Sequence, residues 1–119
     1  MKKNIIREKT FVFGKRIVRL CIYLEKNKSE YILSKQLKRS GTAPGALVRE
    51  SEHAESKKDF VHKLSIALKE ANETEYWLQM IKEGDYLSEQ EFSSIHNDCL
   101  EIIKILVAIV KTSKSKLNG

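Results

Sequence analysis

The chain has 119 residues, 41% hydrophobic and 32% charged, with one Pro and five Gly, a composition that fits a single helical domain and argues against disorder. Its net charge of +6 is unevenly laid out: residues 1–39 carry 12 Lys/Arg against 3 Asp/Glu, residues 40–103 carry 6 against 13, and residues 104–119 carry 4 against none. Cys21 and Cys99 have no nearby Cys partner, which excludes a CxxC redox pair and a zinc framework, so both read as buried thiols of a reducing compartment.

A first helix is predicted over about residues 10–26, with Phe13, Ile17, Leu20, Cys21 and Leu24 inward and Lys15, Arg19 and Lys26 on another face. After the polar turn Asn27–Lys28–Ser29, a second helix runs over about 30–54, with Leu33 and Leu37 inward. Gly41 and Pro44 in SGTAPG should break or kink it, leaving Thr42 to cap a second half that carries Ala46, Leu47 and Val48. The third helix, 56–83, has the cleanest repeat: Phe60, Leu64, Ala67, Ala71, Thr74, Leu78 and Ile81 follow at steps of four and three along about 40 Å. Ser56 and Asp59 resemble a capping box at its start, and Gly84 is expected to supply the left-handed residue at its end.

Ser88 and Glu91 form a second capping box for a fourth helix over 88–112, striped by Phe92, Ile95, Cys99, Ile102, Leu106 and Ile109. Short connections between four such helices predict an all-α, antiparallel up-down-up-down bundle, kinked at Gly41–Pro44, spanning 1–119 as one domain with short basic tails. Further apolar positions lie beside the main stripes: Ile66, Trp77 and Met80 on the third helix, and Ile103, Val107 and Val110 on the fourth. A face this broad on a small protein implies a subunit interface, with Trp77 and Ile103 as anchors.

No run is suited to spanning a membrane. The most apolar one, 102–110, holds Lys104 and is far shorter than the roughly 20 residues required. The start, MKKNIIREKTFVFGKR, lacks the apolar core and cleavage site of a secretory signal, so a cytoplasmic location is expected.

The segment SGTAPGALVRESEHAESKKDFVHKLSIALKEANETEYWLQMI, residues 40–81, flanked by YILSKQLKRSG and LEIIKILVAIVKT, resembles the four-helix-bundle family of ribosomal RNA intervening sequences, often labelled "S23 ribosomal protein". The resemblance implies a homopentamer without enzymatic activity, encoded within insertions in large-subunit ribosomal RNA genes or standing alone in bacterial genomes. A related branch, the accessory protein of diversity-generating retroelements, binds nucleic acid and a reverse transcriptase. By position, the family's polar-core signature falls on Arg39, Glu50, Glu73 and Glu75, with Arg49 available as a local partner for Glu50. Charges buried in such a core must be paired, since removing one partner costs about 3–5 kcal/mol.

Chemistry is poorly represented. His53, His62 and His96 do not fall at metal-ligand spacing, Asp59–His62 has no second copy, and Glu70–Glu73 lacks a histidine, so neither metal nor cofactor is expected. Cys99 three residues from His96 lies on an apolar seam, where a thiol is inert. Without a phosphate cradle or a nucleophile elbow, the chain does not read as an enzyme. The basic ends carry the functional slant. In an antiparallel bundle Lys2, Lys3, Arg7, Lys9, Lys15 and Arg16 should gather at one pole with Lys111, Lys114 and Lys116, a surface suited to RNA or DNA phosphates without base readout. A protein-interaction scaffold, its acidic middle facing a basic partner, stays open beside this reading.

Overall fold

The computed structural model describes residues 5–118, which form four helices: α1 (Ile5–Lys28), α2 (Ile32–Ser51), α3 (Lys57–Glu83) and α4 (Glu89–Asn118). Each helix packs against its neighbours in chain order, and α4 returns to α1, giving an elongated bundle of 50 × 23 × 22 Å. Cross-helix partners run in opposite register. Gly41 meets Ile17 while Gly45 meets Thr10; Ser40 meets Thr74 while Glu50 meets Lys63; Cys99 meets Ala71 while Glu89 meets Lys82. This is the register of antiparallel neighbours.

The core follows the seams closely, with local shifts. On α3, Val61, Leu64, Ala67, Ala71, Thr74, Leu78 and Ile81 are buried, so Val61 takes the seat expected for Phe60, which is only half-buried. On α4, Val110 and not Ile109 closes the core at 7% exposure, which removes Val110 from the proposed subunit interface. Helix α1 begins five residues before the expected start, because Ile6 is buried and the Thr10 hydroxyl donates to its carbonyl at 2.7 Å. Helix α4 runs six residues beyond the expected end.

No break interrupts α2, which continues through Gly41 and Pro44. Thr42 does not cap a second half; its hydroxyl donates to the Lys38 carbonyl one turn back, at 2.7 Å. The two glycines serve packing. A Cβ on Gly41 would stand 2.8 Å from two Ile17 side-chain carbons, and one on Gly45 would stand 3.3 Å from the Thr10 carbonyl oxygen. Their bare backbone lets α2 press against α1. Buried polar groups at this level are mutually satisfied: the Thr74 hydroxyl meets the Glu70 carbonyl at 2.7 Å and the Ser40 hydroxyl at 3.0 Å.

The helix ends have identifiable causes. The Glu30 carboxylate accepts from the Leu33 and Ser34 amides and so completes the first turn of α2. Ser56 caps α3 by accepting from the Asp59 amide at 3.0 Å, while Asp59 reaches back to the Glu55 amide and not to that of Ser56. Ser88 and Glu91 form the full reciprocal box, at 2.9 and 3.1 Å. At the end of α3 the left-handed residue is Asp85, φ 60°, and not Gly84, whose φ is −77°. Asp85 occupies the position just past the helix, and the Tyr86 amide bonds back to the Ile81 carbonyl at 3.4 Å. Gly84 is required for room, since a Cβ there would stand 2.5 Å from the Tyr86 ring.

Candidate functional site

The antiparallel register decides where the basic residues go. The start of α1, the end of α2, the start of α3 and the end of α4 share one pole, and the cations of α1 meet acids of the α2–α3 turn and of α4. Arg7 is paired with Glu52 at 3.0 Å, Lys9 with Glu101 at 3.1 Å, and Arg16 with Asp98 at 2.5 Å. The Arg16 guanidinium also donates to the Ser94 hydroxyl at 3.1 Å. These three side chains hold α1 to its neighbours. Arg16, level with Asp98, lies about 20 Å along the bundle from Lys111 at 1.5 Å per residue, so it joins no polar cluster with the end of α4. Lys15 sits over the Phe11 ring, 4.7 Å from its centroid, on the α2 side of α1. Lys2 and Lys3 lie outside the described residues.

Lys111, Lys114 and Lys116 are different. All three are exposed, stand in the last turns of α4, and have no ion-pair partner among the described residues. Glu75 faces His96 and Lys82 faces Glu89; by that register the last turn of α4 stands level with the start of α3 or beyond it. Of the expected cationic pole, this helical end remains.

The charged signature is not a buried core. Arg39, 49% exposed, bridges Glu70 at 3.1 Å and Glu73 across the α2–α3 surface seam, and Glu73 also accepts the Trp77 indole N–H at 3.0 Å. Glu50 is paired with Lys63 and not with Arg49. Arg49 lies over Phe11 at 4.9 Å, and Glu75 meets the His96 ring at 3.0 Å across α3–α4. The groups are paired, as charge chemistry demands, but half-open to water, where each pair is worth about 0–1 kcal/mol. What the core does bury among polar residues is short: Thr10, Ser34, Ser40, Ser51 and Thr74, with Glu30.

Exposed apolar surface also falls elsewhere than expected. Ile66, Trp77 and Met80 are half-buried, and Ile103 packs partly on the core. On α4, Val107 is exposed and Leu100, seven residues before it, joins it on the same face. The larger surprise is α1, where Phe11, Val18 and Ile22 face solvent. Their spacing of seven and four was a readable signal, hidden by the stronger core stripe on the same helix.

Chemistry stays muted. Cys99 is desolvated, which pushes its thiol up to about 12, and Cys21 is raised for the same reason. Their thiols donate to the carbonyls of Ala71 and Ser34. Among the described residues, no three His, Cys, Asp or Glu side chains converge on a common point, and no helix is long and apolar enough to cross a membrane.

Residues 2–108 match the family model described as 23S rRNA-intervening sequence protein. A crystal structure of a protein of unknown function from the S23 ribosomal protein family of Bacteroides thetaiotaomicron is 48% identical. It covers 93% of this chain and 99% of its own, with a TM-score of 0.91. A search of curated proteins found no match. A match over nearly the whole sequence and a near-superposable helical neighbour establish that the chain belongs to the 23S rRNA-intervening sequence protein family.

Proposed function

We propose that the protein is a non-enzymatic, homo-oligomeric accessory protein of the cytoplasm that binds RNA or DNA weakly and without reading sequence. The observation that carries this reading is the end of α4, where Lys111, Lys114 and Lys116 project from an ordered helix without carboxylates to neutralise them. Lysines free of intramolecular partners can neutralise phosphates and release their counterions, whereas Arg7, Lys9 and Arg16 would first have to leave Glu52, Glu101 and Asp98. Repetition of the α4 end around a ring, a pentamer as the family resemblance implies, would multiply a field that is weak in one copy. The exposed Leu100 and Val107, with Ile103 beside them, supply the apolar face for self-association.

The test is the salt dependence of binding to a labelled duplex and a labelled single strand. Affinity should fall steeply with salt, and replacing Lys111, Lys114 and Lys116 together by Gln should lower the log–log slope by about 2–3 per engaged protomer, at 0.7–0.9 per phosphate. The oligomer should survive that substitution. Binding absent at low salt, or a slope indifferent to the three lysines, would leave the protein-scaffold reading in its place.

A further inference from the structure

The α1–α2 edge of the bundle carries a groove with an apolar floor and a cationic rim. Phe11, Val18 and Ile22, 48, 38 and 44% exposed, line its α1 side over about 16 Å of helix. Thr42, Gly45 and Ala46 line the α2 side. The charged residues around it are Lys15, Arg19 and Arg49, and the lining contains no carboxylate. None of the three cations has an ion-pair partner among the described residues.

Gly14 supplies an independent indication. It sits inside a 24-residue helix, where glycine costs up to about 1 kcal/mol relative to alanine. No positive φ calls for it, and a Cβ there would meet nothing within 4 Å. Gly41 and Gly45 are explained by the press of α2 on α1; Gly14 is explained by nothing inside this subunit. It sits in the groove wall between Phe11 and Val18, and its missing side chain leaves room for a backbone to come close.

We propose that this groove docks an amphipathic helix of another protein, about three turns long, with an apolar stripe flanked by Asp and Glu. Its apolar side chains would cover Phe11, Val18 and Ile22, its backbone would approach over Gly14, and its carboxylates would meet Lys15, Arg19 and Arg49. Single-stranded nucleic acid fits less well. Val18 and Ile22 offer no stacking surface, and the Phe11 ring already lies against Lys15 and Arg49. A second copy offering its Leu100–Val107 stripe fits poorly too, since Lys104 and Lys111 share that outer face and would oppose the cationic rim. The proposal is independent of the nucleic-acid reading, which rests on α4.

Two synthetic helical peptides test it by fluorescence anisotropy on the full-length protein: one with a Leu stripe and Glu flanks, and the same peptide with Lys replacing each Glu. The Glu peptide should bind saturably and the Lys peptide at least about tenfold more weakly. Gly14→Leu should keep or raise the thermal midpoint, since the space is open and Leu favours helix, yet weaken the Glu peptide at least about tenfold. Combining Lys15→Glu with Arg49→Glu should invert the preference towards the Lys peptide, which a loss of folding could not do. Equal affinity for both peptides, binding to neither, or unchanged binding by Gly14→Leu would overturn the proposal. So would a change in oligomer size caused by Gly14→Leu, which would make the groove a subunit contact, or displacement of the peptide by an oligonucleotide at equal occupancy, which would make it a nucleic-acid surface.

Discussion

Gly41 shows how a single missing methyl group sets the spacing of two helices. Restoring it as Gly41→Ala would drive a Cβ into Ile17, which is fully buried and cannot swing away into solvent. Overpacking of this kind costs about 1–3 kcal/mol, against which the better helix propensity of Ala returns about 0.5–1. A net loss is expected, read as a lower thermal midpoint. Gly14→Ala, with nothing to strike, should shift the midpoint upward in the same experiment. The thiols give a second residue-scale expectation. With Cys99 at about 12 and Cys21 raised by burial, neither is thiolate near neutral pH, so a disulfide reagent should label them only as fast as the bundle opens. Rapid labelling of the native protein would show that α1 or α4 leaves the core readily.

Among the elements, α4 depends most visibly on its cap. Glu91 is held below its ordinary value chiefly by the Ser88 amide and then by the Ser88 hydroxyl. Because the folded value is the lower one, its contribution is complete above the ordinary carboxylate range and is lost as pH falls through the depressed value. Glu91→Gln should therefore flatten the acid limb of a stability–pH profile, and Ser88→Ala should cost about 1 kcal/mol at neutral pH. The core seams of α1, α3 and α4, the Ser56 and Ser88 caps and the number of elements were legible, because a period near 3.6 and Ser-x-x-Glu spacing are local properties. On α2 the core is mostly small residues, Ser34, Ser40, Gly41 and Pro44, and Ala46 is exposed. Two kinds of statement were not legible. Val61 in place of Phe60 and Val110 in place of Ile109 are choices between adjacent side chains at the edge of a stripe, settled by the neighbouring helix and not by periodicity. The destination of each charge was equally hidden: the acids around Glu52 lie at the same pole as Arg7, a fact of register that counting along the chain cannot supply. Pro44 does not break α2, since its missing N–H removes one helical bond without halting the helix in a packed setting.

At the scale of the whole molecule, self-association is the expectation with the sharpest outcome. Light scattering should return a multiple of the 13.7 kDa chain at micromolar concentration, and Val107→Asp should reduce it while leaving the helical circular dichroism intact. A monomer in the unsubstituted protein would remove the ring and with it the multiplied field. The nucleic-acid surface was only partly legible for the same reason as the charges: composition located the lysines, but the bundle decided which of them are already occupied.

The seam between α1 and α4 carries a consequence for how the bundle breathes. It is thinner than the joint between any other neighbouring pair, and hollows along it are lined by Val12 and Glu8 on one stretch and by Leu20 and Tyr23 on another. Much of what crosses it is polar and half-exposed: Lys9 to Glu101, and Arg16 to Asp98. Such clasps weaken as ions are added. The joint of α1 with α2 also carries ion pairs, Arg7–Glu52 and Lys38–Glu25, but is held in addition by the close approach of Gly41 and Gly45 to α1. The first opening of the native state should thus be a parting of α1 from α4, with α2 still packed on α3. In amide hydrogen exchange, added salt should speed the α1 amides more than those of α3.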